Sequence, residues 1–376
     1  MKYHQFQIKL SQPALTGKES YYTTKAFEKN EVSNYGENIR CFEQHIEKIV
    51  GQNKMAIALQ SGTSALHLAM IMLGVQKDDE VICPTFTFIA TINPICYLHA
   101  QPVFVDSEPE TGNMCPKLLE EAILHRIHHY KKPKAIVAVH SYGMPAKIDE
   151  IIYIAKKYDI PVIEDAAPAL GSYFKNQHCG TFGNFGVFSF NGNKIATGSG
   201  GGILLVNTKE EKQKAIAIAN QAKKNVDYYE HFQVGYNYRM SNIVAGVARA
   251  QVEVLETRVK WHNQLHHWYK NLFSNTSQIE LKSVVNDLFN PNYWQNLILF
   301  SEEKFRDDFK NELLNNKIEC KLPWKPMHTQ AIFKNCPAFV NEVSTSWFTR
   351  GLCLPSGSSI TENDKTYIAQ VIHKLI

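Results

Sequence analysis

Along the first 165 residues, short apolar runs alternate with longer segments whose apolar positions recur at helical spacing. Glu37–Val50 (ENIRCFEQHIEKIV) sets Ile39, Phe42, Ile46 and Ile49 on one face and predicts an amphipathic helix, with Ser33–Gly36 as the loop before it. Lys54–Gln60 (KMAIALQ) predicts a buried strand that runs through Ser61-Gly62-Thr63-Ser64 into a helix over Ala65–Leu73. The pattern then repeats. Strands are predicted at Glu80–Cys83, Pro102–Asp106, Lys134–His140 and Ile160–Asp165, and helices at Phe88–His99, Leu118–His129 and Ile148–Tyr158, with Pro94 disturbing the first helix. Such alternation predicts an α/β fold, its mostly parallel sheet covered by helices on both faces. From about Asn242 to His267 the texture becomes one long amphipathic stretch, followed by mixed elements such as Tyr293–Phe300 and Phe305–Asn315. The expected division is a large domain over 1–255 and a smaller C-terminal α+β domain over 256–376.

Composition narrows the class without defining it. The 376 residues are 44% hydrophobic and 20% charged, as in an ordinary globular protein. A net charge of +4, from 40 basic and 36 acidic residues spread along the chain, is too weak and diffuse to argue for nucleic acid, yet would not repel an anionic substrate. Eight cysteines without a CxxC pair or framework spacing fit a reducing cytoplasm, and Cys83 and Cys96, in apolar runs, read as buried small hydrophobes. The N-terminal MKYHQFQIKLSQPAL lacks a signal peptide's apolar core, and no apolar run is long enough for a bilayer, so a soluble, cytoplasmic protein is expected.

Some tempting features are set aside. His262 and His266 lie four apart without the glutamate of an HExxH motif and read as a solvated helix face, so no metal site is expected. His125, His128 and His129 read as an exposed helix end, and Tyr228 and Tyr229 as packing or interface residues.

Three stretches carry candidate chemistry. In Gly183–Gly202 a β-rich run, Val187–Phe190, ends in small residues with Lys194 between Gly192 and Gly198. This suggests a lysine presented at a sheet end, where an amine can condense with a carbonyl cofactor; an ordinary loop lysine is the alternative. Ser61–Ser64 opens a helix after a strand, which makes an anion site or simply an N-cap. Asp165 ends a buried-looking strand, where its carboxylate needs a cationic or N–H partner; capping a following helix is the other reading. With Ser189 near the lysine, the three together match the phosphate, ring nitrogen and aldehyde of pyridoxal 5′-phosphate (PLP).

At this point the chain resembles the DegT/DnrJ/StrS family of PLP-dependent nucleotide-sugar aminotransferases. The resemblance runs through Ser61–His67 (SGTSALH), Asp79–Phe88 (DEVICPTFTF), Phe104–Asp106, Tyr142-Gly143, Glu164–Ala167 (EDAA) and Gly180–Gly183 (GTFG). It continues in Ser189–Lys194 (SFNGNK), Gly235–Ser241 (GYNYRMS) and Gly351–Ser358 (GLCLPSGS). The resemblance implies a fold-type-I PLP-dependent transferase, with Lys194 bonded to the cofactor aldehyde and then acting as general base, and Asp165 on the ring nitrogen. It also implies that Phe88 stacks on the ring, that Gly62, Thr63, Ser64 and Ser189 hold the phosphate, and that Asn237 reaches the phosphate of a second subunit in a homodimer with shared sites. Arg239 and His328 are implied to meet the substrate. L-glutamate would be the donor and a nucleotide-linked keto sugar the acceptor, with no nucleic-acid or membrane partner.

SFNGNK followed by SGGG looks most like enzymes that aminate C4 of UDP-linked 4-keto-6-deoxy-N-acetylhexosamines for amino-sugar and cell-surface glycan biosynthesis. dTDP or GDP sugars, with a 3- or 4-keto group, are alternatives, and so is a PLP-binding regulatory protein. Sugar dehydratases of the family carry histidine in place of the lysine, which Lys194 argues against. Two departures stand out: Pro168 follows EDAA where relatives often carry a polar residue, and Glu31-Val32-Ser33 lacks a tryptophan common in the family.

Overall fold

The reason Lys54–Gln60 reads as an unbroken apolar run is visible in its two faces. Ala56 and Ala58 pack with Phe42, Ile46, Phe188 and Phe190, while Ile57 and Leu59 pack with Leu66, Ala69, Val187 and Leu204. A strand buried on both sides has no face on which polar residues are favoured. The computed structural model describes residues 6–224, 226–284 and 286–376, so the first five residues of the N-terminal stretch discussed above lie outside the described residues.

The chain begins with α1 (Lys18–Glu28), α2 (Glu37–Val50), β1 (Met55–Leu59), α3 (Gly62–Met72), β2 (Glu80–Pro84), α4 (Asn93–Tyr97), β3 (Gln101–Val105) and α5 (Pro116–His129). Then come β4 (Ala135–Val139), α6 (Ile148–Lys157), β5 (Val162–Asp165), β6 (Tyr173–Phe174), β7 (Gln177–His178), β8 (Phe185–Ser189), β9 (Gly202–Val206) and α7 (Lys209–Ala219). The remainder is α8 (Asn242–Val252), α9 (Leu255–Leu272), β10 (Ile279–Leu281), β11 (Phe289–Asn290), β12 (Asn296–Phe300), α10 (Glu303–Asn315), β13 (Ala338–Phe339), α11 (Val343–Arg350), β14 (Gly351–Leu354) and α12 (Glu362–Ile372).

The main sheet has the order β1-β9-β8-β5-β4-β2-β3-β13. β9 runs antiparallel to both neighbours and the other strands share one direction. That common direction brings the ends of β1, β4, β5 and β8 to one edge. A second sheet, β10-β12-β14, builds a separate core with α9, α10 and α12, through Leu265, Tyr269, Ile298, Phe309 and Ile368. Strand pairings tie the two parts of the chain together: Ile8 bridges Ile318, β11 pairs with β6, and β13 returns to pair with β3 at the edge of the main sheet. No helix among the described residues is long and apolar enough to cross a membrane.

Several expectations change. The stretch from Asn242 divides at Glu253-Val254, because α8 packs on α1 and α2 whereas α9 turns Leu265 and Tyr269 into the second core. Phe88–His99 is not one helix but a 3-10 turn and the short α4, which takes Pro94 in its first turn where no amide hydrogen is needed. Cys96 is exposed rather than buried, since α4 covers the sheet with Ile92 and Ile95 instead. His262 and His266 are buried, not solvated: His262 Nδ1 lies 3.2 Å from the Tyr293 carbonyl, and His266 Nδ1 lies 2.8 Å from Asn296 Oδ1 with its ring stacked on Tyr293. Burial lowers the pKa of both to about 4, which keeps the rings neutral. His125, His128 and His129 are exposed at the end of α5, as expected.

Strand alternation separates the two acids that end β5. Glu164 is fully buried and accepts from the Gly180, Phe182 and Gly183 N–H groups at 2.8, 2.6 and 2.6 Å, and from His140 Nε2 at 2.9 Å. His140 Nδ1 accepts from the Ala146 N–H, so the imidazole proton sits on Nε2 and points at Glu164. Burial opposes ionisation of Glu164, but these donors hold its pKa below the usual carboxylate range. An amide in its place presents hydrogens to buried donors, so Glu164→Gln is expected to lose about 2–4 kcal/mol of stability. A denaturation midpoint equal to that of the parent protein would refute this role.

Candidate active site

A cavity of about 440 Å³ opens at the ends of β1, β4, β5 and β8, where ligands bind in open α/β sheets. Lys194, Asp165, Gly62, Thr63, Phe88 and Ser189 all line it. Lys194 is delivered by a tight turn after β8, closed by its own N–H to the Asn191 carbonyl at 3.0 Å and by Gly198 N–H to the Phe190 carbonyl at 2.8 Å. The residue is half-buried, but its amine is enclosed, 4.1 Å from the centre of the Trp294 ring. Burial lowers its pKa from 10.5 to about 8, against the opposing field of Asp165. An ordinary loop lysine has neither property.

Asp165 is 4% exposed. Its Oδ2 accepts from Thr91 Oγ1 at 2.7 Å and its Oδ1 from the Ala167 N–H at 3.1 Å. Thr91 has one hydroxyl hydrogen and spends it on Asp165, so it accepts from Thr87 Oγ1 at 2.8 Å. Burial raises the carboxyl pKa, while these bonds and the Lys194 charge work the other way. A cationic group brought into the cleft would therefore be strongly favoured. No helix starts at Asp165, so capping is not its role.

The start of α3 is capped as one of the two readings expected, and it leaves room for the other. Ser61 Oγ caps the helix by accepting from Ser64 N–H at 3.0 Å, and Ser64 Oγ turns back to Ser61 rather than into the cleft. The Gly62 and Thr63 N–H groups belong to the first turn and have no intrahelical acceptor, which leaves them for an anion. The approach depends on glycine. A Cβ at Gly62 would sit 3.1 Å from Ser189 Cβ, and one at Gly202 would overlap the Ser61 backbone at 2.3 Å.

Other expected site residues stand apart from this cleft. Asn237 is exposed, and its sequence neighbours Tyr236 and Tyr238 stack their rings on each other. Arg239 pairs with Glu43 at 3.2 Å, and His328 Nδ1 bonds Thr85 Oγ1 at 2.7 Å; neither lines the cavity. Among the wall residues not anticipated are Thr91, Trp294 and Trp324. Thr91 lay hidden inside a predicted helix, and Trp294 reaches a turn 101 residues earlier, so no local pattern marks them. Pro168 does line the cleft.

A mainly parallel sheet with a depressed lysine, a buried carboxylate and a helix N-terminus around one cavity defines an aminotransferase of the fold-type-I kind. Residues 13–373 match the DegT/DnrJ/EryC1/StrS aminotransferase family, and the chain belongs to it. It is 41% identical to EpsN of Bacillus subtilis (strain 168), a protein carrying the name of a pyridoxal phosphate-dependent aminotransferase, over 97% of this chain and 95% of that one. It is 35% identical to the GDP-perosamine synthase of Escherichia coli O157:H7, over 100% and 99% of the two chains. Among solved structures, a DegT DnrJ EryC1 StrS aminotransferase from Brucella abortus superposes with a TM-score of 0.89 at 27% identity, covering 95% of each chain.

Proposed function

We propose that this enzyme uses pyridoxal 5′-phosphate to move an amino group from L-glutamate to a nucleotide-linked keto sugar, with C4 of UDP-2-acetamido-4-keto-2,6-dideoxyhexose as the acceptor. The observation that carries the reading is the Lys194 amine, with a pKa near 8, in the same cleft as Asp165. The residues present fit the cofactor group by group: first-turn N–H groups of Gly62 and Thr63 with Ser189 for the phosphate, Asp165 for a protonated ring nitrogen, Lys194 for the aldehyde. Ser64 supports the phosphate site through the Ser61 cap rather than by contact.

When bound, the cofactor supplies the electron sink for breaking the donor's Cα–H bond. Lys194 Nζ would hold the aldehyde and, as a free amine, would carry the donor's Cα proton. At pH 7 an amine of pKa 8 is free in about one molecule in ten, against about one in three thousand for an ordinary lysine. Asp165, fixed by Thr91 and Ala167, holds the proton on the ring nitrogen through mutual stabilisation of charge. Phe88, Trp294 and Trp324 line the same cavity, where their aromatic rings would pack around the cofactor and restrict water.

A homodimer completes the reading. Asn237, Tyr228, Tyr229, Phe232 and Val234 are exposed on one loop region, and the nearby His67 Nε2 is buried with no hydrogen-bond partner. A second copy would cover this surface and receive Asn237 at its phosphate site. Arg239 and His328 would then serve the nucleotide sugar at the shared rim.

The similarity to GDP-perosamine synthase favours a second reading in which the nucleotide is GDP. Mass spectrometry of products from UDP-, dTDP- and GDP-linked keto sugars, with L-glutamate as donor, separates them. An amino product from the UDP sugar alone is expected. Preference for the GDP sugar would overturn the nucleotide, and glutamate conversion without any amino sugar would overturn the acceptor class.

A further inference from the structure

Lys194 shares its cavity with a residue that touches its loop at two neighbouring positions. Trp294 Nε1–H donates to the Asn193 carbonyl at 2.7 Å, on the residue just before Lys194, while the face of the same indole lies 4.1 Å from Lys194 Nζ. Trp294 is itself held rigidly. It is 5% exposed, and its backbone N–H donates to Asn292 Oδ1 at 2.8 Å. Asn292 is in turn fixed by the Pro168 and Leu170 carbonyls at 3.0 and 2.8 Å. On the far side the Trp294 ring lies nearly parallel to Tyr142, whose ring stacks on Trp324 at 4.1 Å. Ser11 Oγ gives the Asn193 carbonyl a second hydrogen bond, at 2.7 Å.

We propose that Trp294 is a positioning residue for Lys194, holding the ammonium over its indole face whenever the amine is not bonded to the cofactor, while the indole N–H fixes the turn that presents it. The proposal rests on the amino-transfer reading, since only a lysine that is released in each cycle needs a defined resting place. A buried ammonium has lost its water, and an indole face returns part of that stabilisation through its quadrupole. Asp165 is the other charge whose field reaches Nζ. The ring and the carboxylate would thus divide the work, with Asp165 acting by charge and Trp294 by location. The amine would keep an address beside the reacting atoms instead of swinging into solvent.

The test follows acetylation of Lys194 by acetic anhydride, read by peptide mass spectrometry, in holoenzyme kept in excess L-glutamate so that the amine is free. In the parent enzyme the reaction should rise through a pH near 8. If the ring merely excluded water, Trp294→Leu would admit water and move that inflection up, toward the 10.5 of an ordinary lysine. If the ring holds the ammonium, its loss moves the inflection down by about half to one pH unit. Trp294→Phe, which keeps a weaker aromatic face, should move it by less. Fluorinated tryptophan in place of all five tryptophans weakens the π charge with little change of shape, and should also move it down. An unmoved or rising inflection, in the leucine variant or in the fluorinated protein, overturns the proposal. A Lys194 that glutamate never exposes to the reagent in the parent enzyme would instead sink the amino-transfer reading beneath it.

Discussion

Lys194→Ala should fold, bind cofactor weakly and show no multiple turnover, a loss of about 10⁴-fold or more. The expectation follows from two separate duties of one atom. Nζ is the group proposed to bond the aldehyde, and among the described residues no other lysine lines the cavity to replace it. It is also the group whose pKa, lowered to about 8 by burial, fits it to carry a proton near neutral pH. The proposed phosphate contacts at Gly62 and Thr63 and the Asp165 carboxylate are untouched by the change, so some cofactor should still enter. The visible absorption band of the lysine-bound cofactor should vanish, and borohydride should fix no cofactor to the peptide containing residue 194. A variant that kept that band and more than about a tenth of the parent rate would place the attachment elsewhere.

Asp165→Asn should keep its cofactor and its fold but lose about 100- to 1000-fold in kcat, the usual scale for removing a preorganised charge from an active site. The asparagine oxygen can keep the Ala167 N–H while the Thr91 hydroxyl turns to accept from the amide nitrogen, an exchange that the backbone donors around Glu164 cannot make, so geometry is largely retained. What disappears is the negative charge proposed to keep a proton on the ring nitrogen. Burial already raises the pKa of Asp165, so replacing it with a neutral isostere removes a charge that the fold pays to desolvate. Thermal or denaturant stability should therefore be unchanged or slightly higher in the absence of cofactor. Full activity in this variant would show that the carboxylate does not serve the ring nitrogen. Unfolding would show that its bonds to Thr91 and Ala167 are structural first.

These two residues were legible early because their signals are local. A lysine between glycines after a strand, and an acid at the end of a strand of apolar residues, announce themselves within ten residues. The neighbours that tune them do not. Thr91 reaches Asp165 across 74 positions, and Trp294 reaches Asn193 across 101. Hydrogen bonds of that span leave no periodicity to read. The misreading of His262 and His266 has the same origin: polar side chains on a charged helix look solvated until the partner elements are known to bury them.

The chain's own pattern determined the alternating strands and helices, the parallel sheet and the identity of the lysine, carboxylate and glycines at its edge. Apolar periodicity and turn chemistry depend on near neighbours, so they survive in one dimension. The tertiary structure alone decided that Glu164 faces the interior while Asp165 faces the cleft, that Ser64 turns away from it, and that an indole from a distant stretch of the chain lies over Lys194. Those outcomes depend on which faces meet when distant strands are packed, and burial at that meeting moves the lysine's pKa into the working range.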